Sequence, residues 1–156
     1  MQKDYNITIA TLILSQEGRK KNKTKIFEDD ITFFINKKCL DIIDESCIYY
    51  GSSYQGRKDA TKKLLDVNIK PPIIIEETHK IIFFPTRSPK SNECIWISYN
   101  NLKSYEKIKK ITRLTFNNDK KFDIPVTYEI IDNQVNRSMK LEKKMNDISN
   151  LKSVKK

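Results

Sequence analysis

At 156 residues, 38% hydrophobic and 10% aromatic, the chain has the apolar material of one ordinary domain, which excludes a disordered tail and a miniprotein held by staples. Its formal charge is +10, with 25 of 30 cations lysine, so its field attracts polyanions and repels basic surfaces. Nucleic acid is the first partner that this charge suggests and an anionic membrane the second, although lysine-rich composition also follows from an AT-rich genome.

Three cysteines, Cys39, Cys47 and Cys94, form no CxxC pair, and one histidine supplies no zinc-ligand cluster. Reduced, mostly buried thiols in a cytosolic protein are expected, with no metal and no cofactor. No stretch reaches the roughly 18 apolar residues that a membrane span needs.

In chain order, the β-branched run through Ile7, Ile9, Thr11 and Ile13 predicts a buried strand that ends at the basic loop "SQEGRKKNKTK". "KIFEDDITFFINKKCLDII" predicts one or two strands broken at Asp29-Asp30, and "SCIYYG" a further short strand closed by Gly51. "GSSYQGRKDATKKLL" then predicts a helix. Ser52 and Gln55 have capping-box spacing, so the helix is expected to start at Ser52 and leave amides near Ser53 and Tyr54 open.

That first turn offers Arg57 and Lys58 where an acid would be the stabilising choice, which describes an anion site with no internal anion. On a helical wheel Arg57 falls among Tyr54, Ala60, Thr61, Leu64 and Leu65, while Lys58, Asp59, Lys62 and Lys63 lie opposite. Two partners for the Arg57 guanidinium stay open: Asp44 or Glu45 within the chain, or a phosphate outside it. The lysines fit either a solvated face or ligand contacts.

Pro71-Pro72 leads into a buried strand at Ile73 to Ile75. "HKIIFFPTRSPKSNECIWIS" reads strand, loop, strand, with Arg87 and Lys90 on a loop stiffened by prolines. "RLTFNNDKKFDIPVTY" predicts a hairpin turning at Asn118 and Asp119. From Glu129 the pattern is helical, with Ile131, Gln134, Ser138, Leu141, Met145 and Ile148 at seam spacing. That seam faces either its own sheet or a partner subunit, and Arg137 and Lys140 extend the basic surface.

The predicted fold is α+β, a strand-rich single domain over residues 1–148 with one short internal helix and a longer C-terminal amphipathic helix; residues 149–156 are expected to be a basic disordered tail. "FFINKKCLDII" and "IWISYNNLKSY" match in hydrophobic pattern, consistent with a duplicated unit or with chance. His79 stands alone, the acidic pairs sit beside strands, and no phosphate-loop spacing occurs, so an enzyme is not expected. Tyr49, Phe83 and Trp96 would need to be exposed to stack on single-stranded bases; core packing is the expected role.

"DESCIYYGSSYQGRKDATKKLL", "KPPIIIE", "IIFFPTRSPKSNECIWIS" and "DNQVNRSMKL", in this order and spacing, resemble the ComK family of bacterial competence transcription factors. The resemblance runs from about Tyr5 to Leu141. It implies a cytoplasmic, nucleoid-associated activator of DNA-uptake genes that reads AT-rich duplex mainly through the minor groove and phosphates, as a homo-oligomer, with RNA polymerase a further partner and no membrane. Candidate DNA-binding residues are Ser52, Ser53, Tyr54, Arg57, Lys58, Lys62, Arg87, Lys90 and Arg137. Longer members carry a tail that links them to an adaptor and protease; the sequence stops at Lys156, so that control is not carried over. A short chain that regulates a full-length relative through mixed oligomers is the alternative.

Overall fold

The computed structural model describes residues 4–19 and 22–154, with side chains as far as Leu151. Lys20 and Lys21 of the expected basic loop, and Lys155 and Lys156 of the expected tail, lie outside the described residues. The elements are β1 (Thr11–Gln16), β2 (Thr24–Glu28), β3 (Thr32–Ile35), α1 (Cys39–Tyr49), α2 (Tyr54–Leu65), β4 (Ile73–Glu76), β5 (Ile81–Pro85), β6 (Trp96–Ser98), β7 (Leu102–Ile108), β8 (Ile111–Phe116), β9 (Lys121–Ile124) and α3 (Tyr128–Val154). The fold is α+β, as expected.

Six strands form an antiparallel sheet in the order β3-β2-β1-β6-β5-β4, and β7-β8-β9 form a second sheet. The larger sheet is covered on both faces, which is why β4 and β5 are unbroken apolar runs. Side chains alternate across it. Ile73, Ile75, Ile81 and Phe83 join Leu14, Ile26, Ile42, Ile43 and Trp96 in a core beneath α1 and α2. On the other face Ile13, Phe84 and Ile97 meet Leu114, Phe116, Ile131 and Val135 of the second sheet and α3. Ile74 and Ile82 pack with Leu141 and Met145.

Three stretches differ from their predicted form, the shortest being residues 149–154 of the expected disordered tail, which continue helix α3. Residues 4–10 are not strand, and β1 begins only at Thr11, although Ile7 is fully buried. Residues 39–43 and 46–49, predicted as strand, lie in the helix α1. Its β-branched residues favour strands when taken singly, but Ile42, Ile43, Ser46 and Cys47 form one helical stripe, and burial of that stripe outweighs propensity.

The seam of α3 packs on its own domain. Ile131, Gln134, Ser138 and Leu141 are fully buried, Met145 nearly so, and only Ile148 is exposed. Its polar members have partners within the chain: Gln134 donates to the carbonyls of Lys70 (2.9 Å) and Pro85 (2.6 Å), and Ser138 donates to Gln134 O (2.8 Å).

A repeated unit is present, in a different register from the one the hydrophobic pattern suggests. Residues 33–43 run from β3 into α1, whereas 95–105 run from β6 into β7, so those stretches are not equivalent. The equivalent units are β1-β2-β3-α1 and β7-β8-β9-α3. In each, a buried threonine of the middle strand donates to the carbonyl just before the helix, Thr24 to Lys37 O (2.6 Å) and Thr112 to Val126 O (2.7 Å). Lys37 N–H and Val126 N–H each donate back two residues, to Ile35 O and Ile124 O, both at 2.9 Å. Each first strand also shifts register once near its start, after Thr11 and after Leu102.

Candidate nucleic-acid interface

The α1–α2 corner decides what the first turn of α2 can offer. Gly51, at φ +97°, turns the chain there. The N-cap is Ser53, one residue later than predicted, and its Oγ accepts from Gly56 N–H at 2.9 Å. A Cβ at Gly56 would lie 3.1 Å from Ser52 Oγ and 3.2 Å from Ser53 Oγ, so the corner is packed tightly around its two serines. Gln55 bonds Asp59 rather than reaching back to form a capping box. Most important, Asp44 Oδ1 of α1 accepts from Tyr54 N–H at 2.9 Å. The expected anion site therefore already holds an internal carboxylate, supplied by a helix where the sequence predicts strand.

Arg57 takes neither of the carboxylates expected for it. Its Nη1 donates to Glu77 Oε1 at 2.8 Å, while Glu45 pairs with Lys37 at 2.6 Å. The Arg57 side chain is only 12% exposed and its buried Nε has no partner among the described residues. Arg137 is likewise turned inward, donating from Nη1 to Ile69 O (2.9 Å) and Gln134 Oε1 (3.2 Å). Lys58 lies 6.0 Å from the Tyr54 ring centre and Lys62 is exposed.

Arg87 and Lys90 stand on the β5–β6 loop, which is fastened along its length. Thr86 N–H bonds Ile95 O, Ile95 N–H bonds Thr86 Oγ1, and the Cys94 thiol donates to Arg87 O at 3.4 Å. Both cations are exposed; Arg87 has a loose contact with Glu93 at 3.8 Å. A basic loop fixed in this way loses little conformational entropy on binding.

One flank of that loop borders a cavity of about 330 Å³ at the start of α1, lined by Gln16, Lys38, Cys39, Lys90 and Cys94 among others. Lys38 is the N-cap of α1, in extended conformation and with no side-chain cap bond, and Asp41 is the one acid in the first turn. The opposite flank faces Pro125 and Val126, just ahead of α3. Burial pushes the Cys94 thiol up, opposed by the backbone at Arg87 and Thr86 and by the charges of Lys70 and Arg87. Tyr54 packs edge-on to Trp96 with ring centres 6.4 Å apart.

Tyr54 thus rests on Trp96 with Lys58 beside its ring, and Arg87 and Lys90 share the loop that ends at Cys94, whereas Arg57 and Arg137 serve internal bonds. Lys38 and Lys70 join the group without any mark in the sequence that singles them out. Lys38 is hidden because its stretch has the composition of strand, and Lys70 carries no local signal beyond preceding Pro71-Pro72.

Phe83 and Trp96 are fully buried and cannot stack on bases, while Tyr49 is 67% exposed. His79 is exposed and bonded to Glu76 at 2.7 Å. Among the described residues no group of three or more potential ligands could hold a metal ion, and no helix is long and apolar enough to cross a membrane. What the cluster offers is hydrogen-bond donors and positive charge for an extended anion.

Comparison with known proteins gives a concordant result. The family model described as ComK protein matches residues 2–150. The Competence transcription factor of Bacillus subtilis (strain 168) is 37% identical over 145 residues, which cover 92% of this chain and 76% of that protein. No solved structure matches the chain.

Proposed function

This chain belongs to the ComK family of competence transcription factors, and on that premise we propose that it is a DNA-binding activator of DNA-uptake genes. It binds AT-rich duplex as a homo-oligomer, through phosphate contacts and the minor groove, in the cytoplasm at the nucleoid. The observation that carries this reading is the fastened loop presenting Arg87 and Lys90 beside the N-terminus of α1.

Phosphate contacts supply affinity without reading sequence, and narrow A-tract minor grooves attract Arg and Lys. We assign the principal contacts to Arg87 and Lys90, with Lys70 beside them. Ser52, Ser53, Tyr54, Lys58 and Lys62 extend the surface along the start of α2. Arg57 and Arg137 act beneath it, by holding the elements that present it.

A mobility-shift titration across salt concentrations tests the reading. Binding must weaken steeply with salt, must favour AT-rich over GC-rich duplex, and must be displaced by a minor-groove ligand such as netropsin. Equal affinity for the two duplexes would remove the sequence-reading part, and a flat salt response the phosphate part.

A further inference from the structure

The four outer strands of the two sheets are protected unequally. An open strand edge is a template for another strand, and proteins blunt it with charge or cover. Among the described residues β4 is covered by α1 and α2. β7 exposes Lys103, Ser104, Glu106 and Lys107. β9 exposes Lys121 and Asp123, the latter held by Arg113 at 2.8 and 3.1 Å.

Among the described residues β3 has neither device, its own four side chains carrying no charge. It is the counterpart of β9 in the repeated unit, yet Thr32 stands where β9 has Lys121, and Phe34 where it has Asp123. The cross-strand pair Arg113–Asp123 is matched by Lys25–Phe34, with the lysine 5.9 Å from the ring centre. Ile31, next to the strand, is 53% exposed. A groove of about 660 Å³ follows this edge, with Tyr5 and Phe33 among its walls, and Lys23 and Phe34 as well.

The backbone is available too. Glu28 N–H donates to Ile31 O at 2.9 Å across the hairpin, which makes 28 and 31 a hydrogen-bonded pair. Alternation then directs Phe33 and Ile35 toward β2, and turns the N–H and C=O of Thr32 and Phe34 outward.

The charges flanking this edge are self-complementary. Asp29 and Asp30, both exposed, precede β3; exposed Lys38 follows it, while Lys37 is held within the chain by Asp4 at 2.8 Å and Glu45 at 2.6 Å. An antiparallel copy related by a two-fold axis at Phe34 sets Asp30 of each strand against Lys38 of the other, twice. A single partner chain of other sequence would gain nothing from that doubling.

We propose that β3 is a self-pairing edge, joining two copies of this chain antiparallel into one continuous sheet, with Asp30 of each copy facing Lys38 of the other. This gives a surface to the oligomer proposed above and rests on that part of the reading alone.

Sedimentation of the full chain without DNA, over roughly 1 to 100 μM, tests it. Asp30→Lys and Lys38→Asp should each raise the dimer dissociation constant about 10- to 100-fold, because each replaces two attractive pairs by two repulsive ones. An equimolar mixture of the two variants should dimerise again. One copy then carries lysine at both ends of the strand and the other aspartate at both ends, so attraction is restored in each pair.

Lys38→Asp places a favoured residue at an N-cap, so its monomer should melt no lower than wild type. A wild-type chain that stays monomeric, single variants as dimeric as wild type, or a mixture that fails to recover would each overturn the proposal. No DNA enters the measurement, so such a failure would leave the DNA-binding reading standing.

Discussion

Asp44 Oδ1 accepts a hydrogen bond from Tyr54 N–H at 2.9 Å, so the last turns of α1 cap the first turn of α2. Asp44→Ala removes that acceptor and should cost about 1 kcal/mol, the usual loss at a cap. Asp44→Asn keeps an oxygen there and should cost less. Urea unfolding checks both: the midpoint should fall with little change in the slope.

Gln134 is fully buried and bridges two carbonyls that belong to separate segments, Lys70 O and Pro85 O. Gln134→Leu fits the apolar seam but leaves the buried Pro85 carbonyl and the part-buried Lys70 carbonyl unpaired. The expected loss is about 2–4 kcal/mol, roughly 1–3 kcal/mol for the buried Pro85 carbonyl and about 1 kcal/mol for the part-buried Lys70 carbonyl. Thermal melting should detect it readily, and a wild-type melting temperature would refute the bridging role.

Arg57 separates packing from charge. Its partner Glu77 is 67% exposed, which screens the ion pair, while the arginine stem lies along the buried side of α2. Arg57→Met keeps the stem and removes the orphaned Nε, so stability should stay within about 1 kcal/mol of wild type. Arg57→Ala should lose about 1–3 kcal/mol through packing. Neither variant should alter the salt dependence of DNA binding, because the guanidinium is committed to Glu77.

Alkaline stability should follow the buried thiols. Desolvation, the dominant cause, pushes Cys47 up to about 12, with Arg57 pulling it down and Asp44 adding to the rise. Cys39 is pushed up to about 11, again mainly by burial. A folded pKa above the unfolded value means that the unfolded chain loses its proton first. Stability is then fully present below about pH 8.5 and declines as pH rises toward 11 and 12. Cys47→Ala should flatten that decline by about one proton, measured as urea stability against pH.

The cations of the β5–β6 loop should differ from those at the far hairpin. Arg87→Ala and Lys90→Ala should each reduce the slope of log affinity against log salt by about one. Lys110→Ala, in the β7–β8 turn, should leave the slope unchanged. Mobility shifts at several salt concentrations distinguish the two groups, and equal effects at Lys90 and Lys110 would make the positive field diffuse instead of localised.

By itself the sequence determined the elements whose signal is local. β4 and β5 follow from unbroken β-branched and aromatic runs; the β8–β9 turn follows from residues that tolerate a left-handed backbone, with Asp119 at φ +68°. The apolar spacing of α3 determined which of its faces is buried, and the helical wheel of α2 placed Arg57 on its inner side.

Tertiary structure decided the rest, because the deciding partner was distant in sequence. Residues 39–49 became helix when one stripe could be buried against the sheet, although their β-branched residues taken singly favour strand. Arg57 met Glu77, 20 residues away, after β4 ran beside α2, and Asp44 reached Tyr54 because α1 ends over the start of α2. Lys38 and Lys90 border one cavity only because β1 ends where α1 begins and the β5–β6 loop passes beside them. Local propensity fixes what a segment can become, whereas the identity of a charged group's partner is set by packing between segments.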